Sequence, residues 1–457
     1  MAIRLSDQQV VEATGGERAR VGARASFGAV CTDSRSVTAG SLFVALKGER
    51  FDAHDFLKQA VAQGAAGVVV QKGRWAEFDV PDIAVYEVPD TLHALGRLAR
   101  FHRDRFKLPV GAVTGSNGKT TTKELIAAIL ETRGPALKTQ GNLNNEIGVP
   151  LTLFNLEPKH VAAIIEMGMN HMGEIARLTE IARPHAGLVT TVQPAHLESL
   201  GSIENVAKAK GELFWGLGPT ATAVVNVDDP HVVAHSRGLA ARALTYGRAE
   251  SAEVRLTAFE STGRSGLSLE ISFLGVKYSI ALQLIGDHNA MNATGAFAMG
   301  IALGYPPEAC VVGLESARPH ARRLQIIDGL NGVTVIDDCY NANPSSMTAA
   351  LQTLKGLADA GRAVAVIGDM LELGTDETAA HQRLVAQAKA NATVVAFFGP
   401  RTRAANGDDG FVDIEALKTF LAGELKSGDT VLVKGSRGMR LERVVEALTG
   451  SAPSGAH

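Results

Sequence analysis

Pro109-Val110-Gly111-Ala112-Val113-Thr114-Gly115-Ser116-Asn117-Gly118-Lys119-Thr120-Thr121 runs an apolar strand into a glycine-containing turn and a helix that begins near Lys119. That junction reads as a phosphate cradle, and so as a site for a nucleoside triphosphate. Gly115 and Gly118 let the backbone turn tightly enough for successive N–H groups to face phosphate oxygens, and the positive end of the following helix adds favourable potential. Lys119 supplies a point charge for the outer phosphates and Thr120 a hydroxyl for magnesium. The match to G-x-x-x-x-G-K-[ST] is imperfect, because Val113 stands where the first glycine would fall. A purely structural glycine turn is the bland alternative, and Lys-Thr-Thr at the helix start weighs against it.

Outward from this junction the pattern is strand, helix, strand, helix. The phosphate loop and its helix to Thr132 lead to strands at Val161 to Met167, Gly187 to Val192 and Ala223 to Val227, separated by helices at Gly173 to Ile181 and Ser202 to Leu217. Such alternation implies a parallel sheet with both faces covered. Residues 252–285 alternate apolar and polar, as an antiparallel insertion or edge would, and a helix over Ala290 to Leu303 closes the unit before Pro306-Pro307.

Upstream lies a small α/β unit, with strands at Ser41 to Lys47, Gly67 to Gln71 and Ile83 to Val88 and a helix at Asp55 to Gln63. An amphipathic helix over Thr91 to Phe106, with Leu92, Leu95, Leu98 and Ala99 on one side, ends at Leu108-Pro109. Downstream, strands at Val333 to Ile336, Ala363 to Ile367, Thr393 to Phe398 and Thr430 to Val433 alternate with helices at Ser346 to Leu357 and Thr378 to Ala390, a second doubly wound sheet. The expected class is α/β in three domains: 1–108, a small α/β unit; 109–318, a central, mostly parallel phosphate-loop ATPase sheet; and 319–457, a Rossmann-like doubly wound sheet. The tail Ser451 to His457 is expected to be frayed.

Bulk properties agree with three cores, since 457 residues exceed one ordinary domain and 46% are hydrophobic. With 45 basic against 48 acidic side chains, the net charge of -3 gives no footprint for nucleic acid or an anionic membrane. Cys31, Cys310 and Cys339 lie far apart without a C-x-x-C pair, against a disulfide framework or a structural zinc site. The N-terminus lacks the apolar core of a signal peptide and no stretch approaches a membrane span, so a cytoplasmic chain without membrane insertion is expected.

Several polar clusters fall at strand ends, where α/β sheets expose ligands. Glu166, in Ile164-Ile165-Glu166-Met167-Gly168, can hold magnesium; a solvated strand-end acid is the alternative. His196 follows another strand, in Gln193-Pro194-Ala195-His196, and gains weight because Glu166 and Lys119 should open onto the same edge. Lys208 and Lys210 lie in the next helix, where plain surface charge is the simpler reading of either. Asn289 and Asn292 share a helical face and can read a base or ribose, or simply cap the helix. Ile336-Asp337-Asp338-Cys339-Tyr340-Asn341-Ala342-Asn343-Pro344 ends a strand in acids and amides, with Arg323 and Lys434-Gly435-Ser436-Arg437 adding cations. Two such edges facing each other would make a cleft for anionic substrates.

The ordered series Thr114 to Thr121, Gly141-Asn142-Leu143-Asn144-Asn145, Glu166-Met167-Gly168, His196 to Lys210, His288 to Asn292, Asp338 to Met347 and Lys434 to Arg437 resembles the Mur ligase family over nearly the whole chain. The signatures Thr32-Asp33-Ser34-Arg35, Leu42 to Phe56 and Gly368-Asp369-Met370-Leu371-Glu372-Leu373-Gly374 strengthen it. The resemblance implies ATP-dependent amide formation between UDP-N-acetylmuramoyl-tripeptide and D-alanyl-D-alanine through an acyl phosphate. It implies two Mg2+ ions, one on Thr120 and Glu166, the other on His196 and a carbamylated Lys210. It places Asn289, Asn292, Arg323 and Asp338 around the nucleotide, Thr32, Ser34, Arg35 and Lys47 near the uridine diphosphate end, and Asn343, Ser346 and Arg437 on the acceptor side. The family commonly has glycine before the arginine, where this chain has Arg322, and a left-handed backbone there is unfavourable for arginine. Domain closure with hinges near 108 and 318 is expected, in a monomer. Folylpolyglutamate synthase, a related ligase, fails to match the first hundred residues, and a GTPase would need an Asn-Lys-x-Asp that is absent. A nucleotide-gated binding protein without catalysis is disfavoured by the retained Lys119, Glu166, His196 and Lys210.

Overall fold

Three sheets of five or more strands follow one another along the chain in the computed structural model, which describes residues 3–24, 26–48, 51–75, 83–358 and 361–451. Glu49 and Arg50 of the Leu42-to-Phe56 signature, and the tail beyond Ser451, lie outside the described residues. The first sheet holds β1 (Glu17–Arg20), β2 (Ala29–Cys31), β3 (Ser41–Val44), β4 (Ala65–Gln71) and β5 (Ala84–Val88), in the order β1-β5-β4-β3-β2. Only β1 runs antiparallel to its neighbour. The helix expected at 55–63 begins as a 3-10 turn, Ala53–Phe56, before its α-helical part, Leu57–Ala62.

Helix α1 (Thr91–Arg103) carries the chain to the second sheet. Its buried Leu95, Leu98 and Ala99 belong to one apolar core that contains Val44 and Tyr86 of the first unit and also Val110, Leu153 and Leu178 of the next. Arg103, buried at the helix end, donates to the carbonyls of Ala182 (2.8 Å) and Arg183 (3.1 Å), closing the C-terminus of a central helix.

The central sheet has nine strands: β6 (Val110–Thr114), β7 (Ala136–Lys138), β8 (Ala162–Glu166), β9 (Ala186–Val189), β10 (Thr222–Asn226), β11 (Arg242–Gly247), β12 (Val254–Ser261), β13 (Leu267–Phe273) and β14 (Val276–Leu282). Their order is β14-β13-β12-β11-β10-β9-β6-β8-β7. The sheet is parallel from β7 to β12 and antiparallel beyond, so the alternating segment is the edge its pattern foretells. Strand β6 lies between β8 and β9, so the phosphate loop, Glu166 and the segment after Val189 emerge side by side at the C-terminal edge.

The third sheet, β15 (Gln325–Asp328), β16 (Thr334–Asp337), β17 (Ala363–Gly368), β18 (Val394–Phe398) and β19 (Thr430–Lys434), has the order β15-β16-β19-β17-β18. Strand β15 is an antiparallel edge that the sequence reading lacked, too short and half-buried to show a clear period. No helix among the described residues is long and apolar enough to cross a membrane.

Candidate active site

The loop after β6 takes the conformation its glycines allow. Gly115 (φ 146°) and Gly118 (φ 78°) are left-handed, and a Cβ on them would lie 1.8 Å from Thr190 Oγ1 and 2.4 Å from Asn292 Oδ1. Ser116 N donates to Thr191 O (2.8 Å) and Ser116 Oγ to Gln193 O (2.9 Å), which ties the loop to the end of β9. Helix α2 (Lys119–Glu131) follows without a side-chain cap, leaving its first N–H groups to the cleft. Lys119 Nζ donates to Gly115 O (2.7 Å); burial pushes its pKa below the ordinary lysine value, Glu166 pulling it back and Arg323 pushing it further down.

Beside it Glu166, buried at the end of β8, accepts from Asn144 Nδ2 on Oε1 (2.9 Å), while its buried Oε2 has no partner. A buried carboxylate oxygen without a donor fits a cation. Thr120 Oγ1 accepts from Arg323 Nη2 at 3.2 Å, and the buried Nε of that arginine has no partner. Helix α3 (Ile203–Trp215) carries the two lysines, Lys208 exposed and Lys210 only 2% exposed. Lys210 has no hydrogen-bond or ion-pair partner among the described residues. Burial first, then the charge of Lys119, pushes its pKa well below the ordinary value. His196, with φ 55°, meets the third unit instead: its Nδ1 lies 3.2 Å from Glu372 Oε2. Among the described residues no three His, Cys, Asp or Glu side chains gather as a metal site.

The third unit forms the other wall of a cleft of about 860 Å³. Residues 116–121, Glu166, His196, Asn289, Asn292, Arg323, Asp338, Asn343 and Ser346 all line it; Thr114, Gly115, Lys210 and Arg437 are not among the lining residues. Arg322 does take the left-handed backbone (φ 63°) that its side chain disfavours, as does Leu324 (φ 49°). Asp338 holds this turn through Leu324 N (3.2 Å) and is itself ion-paired to the buried Lys434 (2.6 Å). Its carboxylate is thus a structural clamp as well as a cleft group. Asn343 and Ser346 form a reciprocal cap on helix α4 (Pro344–Leu357). Asn343 Nδ2 also donates to Asn117 Oδ1 (2.7 Å), and Asn117 Nδ2 reaches Ser345 Oγ (2.8 Å) and Gln193 Oε1 (2.6 Å), so the phosphate loop is clasped to the third unit. The capping alternative does not describe the other asparagines, whose helix has no side-chain cap: Asn289 Nδ2 donates to Ile285 O (2.7 Å) and Asn292 Nδ2 to Asn289 Oδ1 (2.8 Å).

Thr32, Ser34, Arg35 and Lys47 sit together after β2 and β3 of the first sheet and do not line this cleft. Arg35 is exposed and paired with Asp33 (2.7 Å), whose carboxyl that bond lowers to about 2. Ser34 Oγ donates to Gln59 Oε1 (3.2 Å), and the Lys47 backbone pairs with Asp52. Sequence reasoning missed Asn144, Gln193, Tyr340, Ser345 and Glu372 as individual site residues, although each stands in a stretch it singled out.

Three family models match in succession: the Mur ligase family catalytic domain over 27–103, the Mur ligase middle domain over 113–300 and the Mur ligase glutamate ligase domain over 322–437. The UDP-N-acetylmuramoyl-tripeptide–D-alanyl-D-alanine ligase of Escherichia coli (strain K12) is 40% identical over 435 residues, 93% of this chain and 95% of that protein. The structure resembles MurF from Acinetobacter baumannii with a TM-score of 0.90 and 32% identity, over 98% of this chain and 100% of that one. It also resembles MurF ligase from Thermotoga maritima in complex with ADP, with a TM-score of 0.82 and 29% identity over 92% and 96%. With that likeness running through all three units, the chain belongs to the Mur ligase family.

Proposed function

We propose that this protein is an ATP-dependent ligase that joins D-alanyl-D-alanine to UDP-N-acetylmuramoyl-tripeptide. The observation that carries the reading is the junction of a phosphate loop, an unpartnered buried Glu166 oxygen and Arg323 in one cleft, within a chain 40% identical end to end to a ligase of that name. A carboxylate is a poor acyl donor, so the tripeptide carboxylate attacks the γ-phosphorus of ATP, giving an acyl phosphate and ADP. The dipeptide amine then attacks the acyl carbon, a proton leaves the nitrogen, and phosphate departs with the oxygen that bridged it.

Both steps concentrate negative charge, which the loop amides, Lys119 and Arg323 are arranged to offset. Bound magnesium would screen that charge and orient the transferring phosphoryl group. Thr120 and Glu166 suit one such ion. His196 and Lys210 suit a second once the buried amine has taken up carbon dioxide: burial favours the neutral, nucleophilic form of a lysine, and the resulting carbamate is an anionic oxygen ligand. Asn289, Asn292 and Asp338 are assigned to the nucleoside side, Thr32, Ser34, Arg35 and Lys47 to the uridine diphosphate end, and Asn343, Ser346 and Arg437 to the acceptor side.

Phosphate release with UDP-muramoyl-tripeptide, ATP and a panel of amines tests the proposal. Release should require the tripeptide substrate and D-alanyl-D-alanine together. Equal turnover with glutamate and a folate would overturn it.

A further inference from the structure

Arg323 is held in place by two separate devices, and only one of them is on its backbone. The turn at 322–324 places two non-glycine residues in the left-handed region, a conformation their side chains disfavour. Asp338 fixes that backbone through Leu324 N. Nothing in that bond fixes the long side chain. The guanidinium instead lies over the ring of Tyr340, 4.0 Å from its centroid, and Arg437 approaches the same ring at 5.2 Å. Tyr340 follows β16 and lines the cleft, whereas Arg323 precedes β15 and Arg437 follows β19. One ring therefore gathers cations from two distant stretches. The face of an aromatic ring attracts a guanidinium and favours parallel stacking, so it sets the plane of the fork as well as its position. Held this way, Arg323 donates from Nη2 to Thr120 Oγ1 at the start of the phosphate-loop helix and keeps a buried Nε without a partner.

We propose that Tyr340 is the positioning residue that aims the Arg323 guanidinium at the outer phosphates, resting on the nucleotide reading given above. The ring, not the hydroxyl, performs this role. It acts through Arg323 and does not itself touch the reacting atoms.

The test is titration of the full-length protein with ATP and magnesium, alongside phosphate release with both substrates. Wild type must bind ATP for the nucleotide reading to stand, which separates its failure from that of the present inference. Tyr340→Leu should weaken ATP binding about tenfold and Tyr340→Phe by no more than about twofold, the size and ring dependence of a sheltered cation–π contact. The KM for the UDP substrate should stay unchanged in both. Arg323→Lys, which keeps the charge but loses the planar fork, should match Tyr340→Leu and serves if the latter fails to fold. In an Arg323→Ala background, Tyr340→Leu should add less than about twofold. A full tenfold loss in that background, equal losses in the Phe and Leu variants, or a Leu variant that binds ATP like wild type would each overturn the assignment.

Discussion

Lys210 in the central unit and Lys434 in the third unit are equally hidden, each 2% exposed, yet their surroundings are opposite. Lys434 ends a strand and meets the Asp338 carboxylate at 2.6 Å and the Asn341 carbonyl at 3.0 Å. Lys210 sits mid-helix with no acceptor among the described residues, and after burial the charge of Lys119 lowers its pKa further. A buried ammonium without a partner is so costly that the group gives up its proton instead. The difference separates a lysine that fastens the wall from one whose charged form its surroundings disfavour.

The largest effect should come from Lys210→Ala, which we expect to lower turnover at least about a hundredfold, the scale of losing a metal-ligand contact, with unchanged circular dichroism. Short-chain carboxylic acids should restore part of it by occupying the vacated space, and Lys208→Ala should remain close to wild type. A dead Lys208→Ala beside a live Lys210→Ala would reverse the assignment.

Stability should invert that order. Lys434→Met strands the Asp338 carboxylate and should cost about 3 kcal/mol or more in urea unfolding. Lys210→Met removes an unpaired amine and should leave stability unchanged or raised. Equal destabilisation by the two would mean the surroundings of the lysines do not differ as described.

A smaller signature lies in pH. The Lys210 pKa is lower in the folded than in the unfolded chain, so between those values the unfolded chain binds more protons. The stability this group contributes is present above the ordinary lysine value near 10.4 and is lost as pH falls through the folded value. In carbon-dioxide-free buffer, Lys210→Met should therefore gain on wild type in urea midpoint as pH is lowered from about 10 to 7. A constant gap would contradict the depressed pKa.

The smallest effect concerns the wall that Lys434 braces. Replacing both Asn343 and Ser345 by Ala removes the clasp on Asn117, at about 0.5–1.5 kcal/mol per hydrogen bond. Small-angle scattering should then show an enlarged free protein that contracts when ATP and substrate are added, with wild type changing less. Identical dimensions in all four samples would rule out the clasp as a brake on opening.

Much of this was legible along the chain, for a physical reason. Strand, turn and helix around Thr114 to Thr121 are local, and so is the period-two edge at 254–282. Pairing across distance is not local. That Asp338 would be held by Lys434 depends on the pairing of two strands far apart in the chain, and that His196 would meet Glu372 and Asn343 would reach the phosphate loop depends on how separate sheets dock. The left-handed Arg322 is the clearest case: intrinsic preference argues against it, and only the Asp338 bond to the next residue but one shows what holds it there.

The shared core around helix α1 has a metrical consequence. Leu95 and Leu98 lie in an apolar core shared by both sheets, and Arg103 bonds across to Ala182 and Arg183, so the first two units are joined through this helix. On the assignment proposed above, the span from the Thr32-to-Lys47 edge to the phosphate loop is the length against which a tethered peptide would be gauged. A chain one residue too short or too long would hold its nucleotide end correctly and still present its carboxylate at the wrong distance from phosphorus.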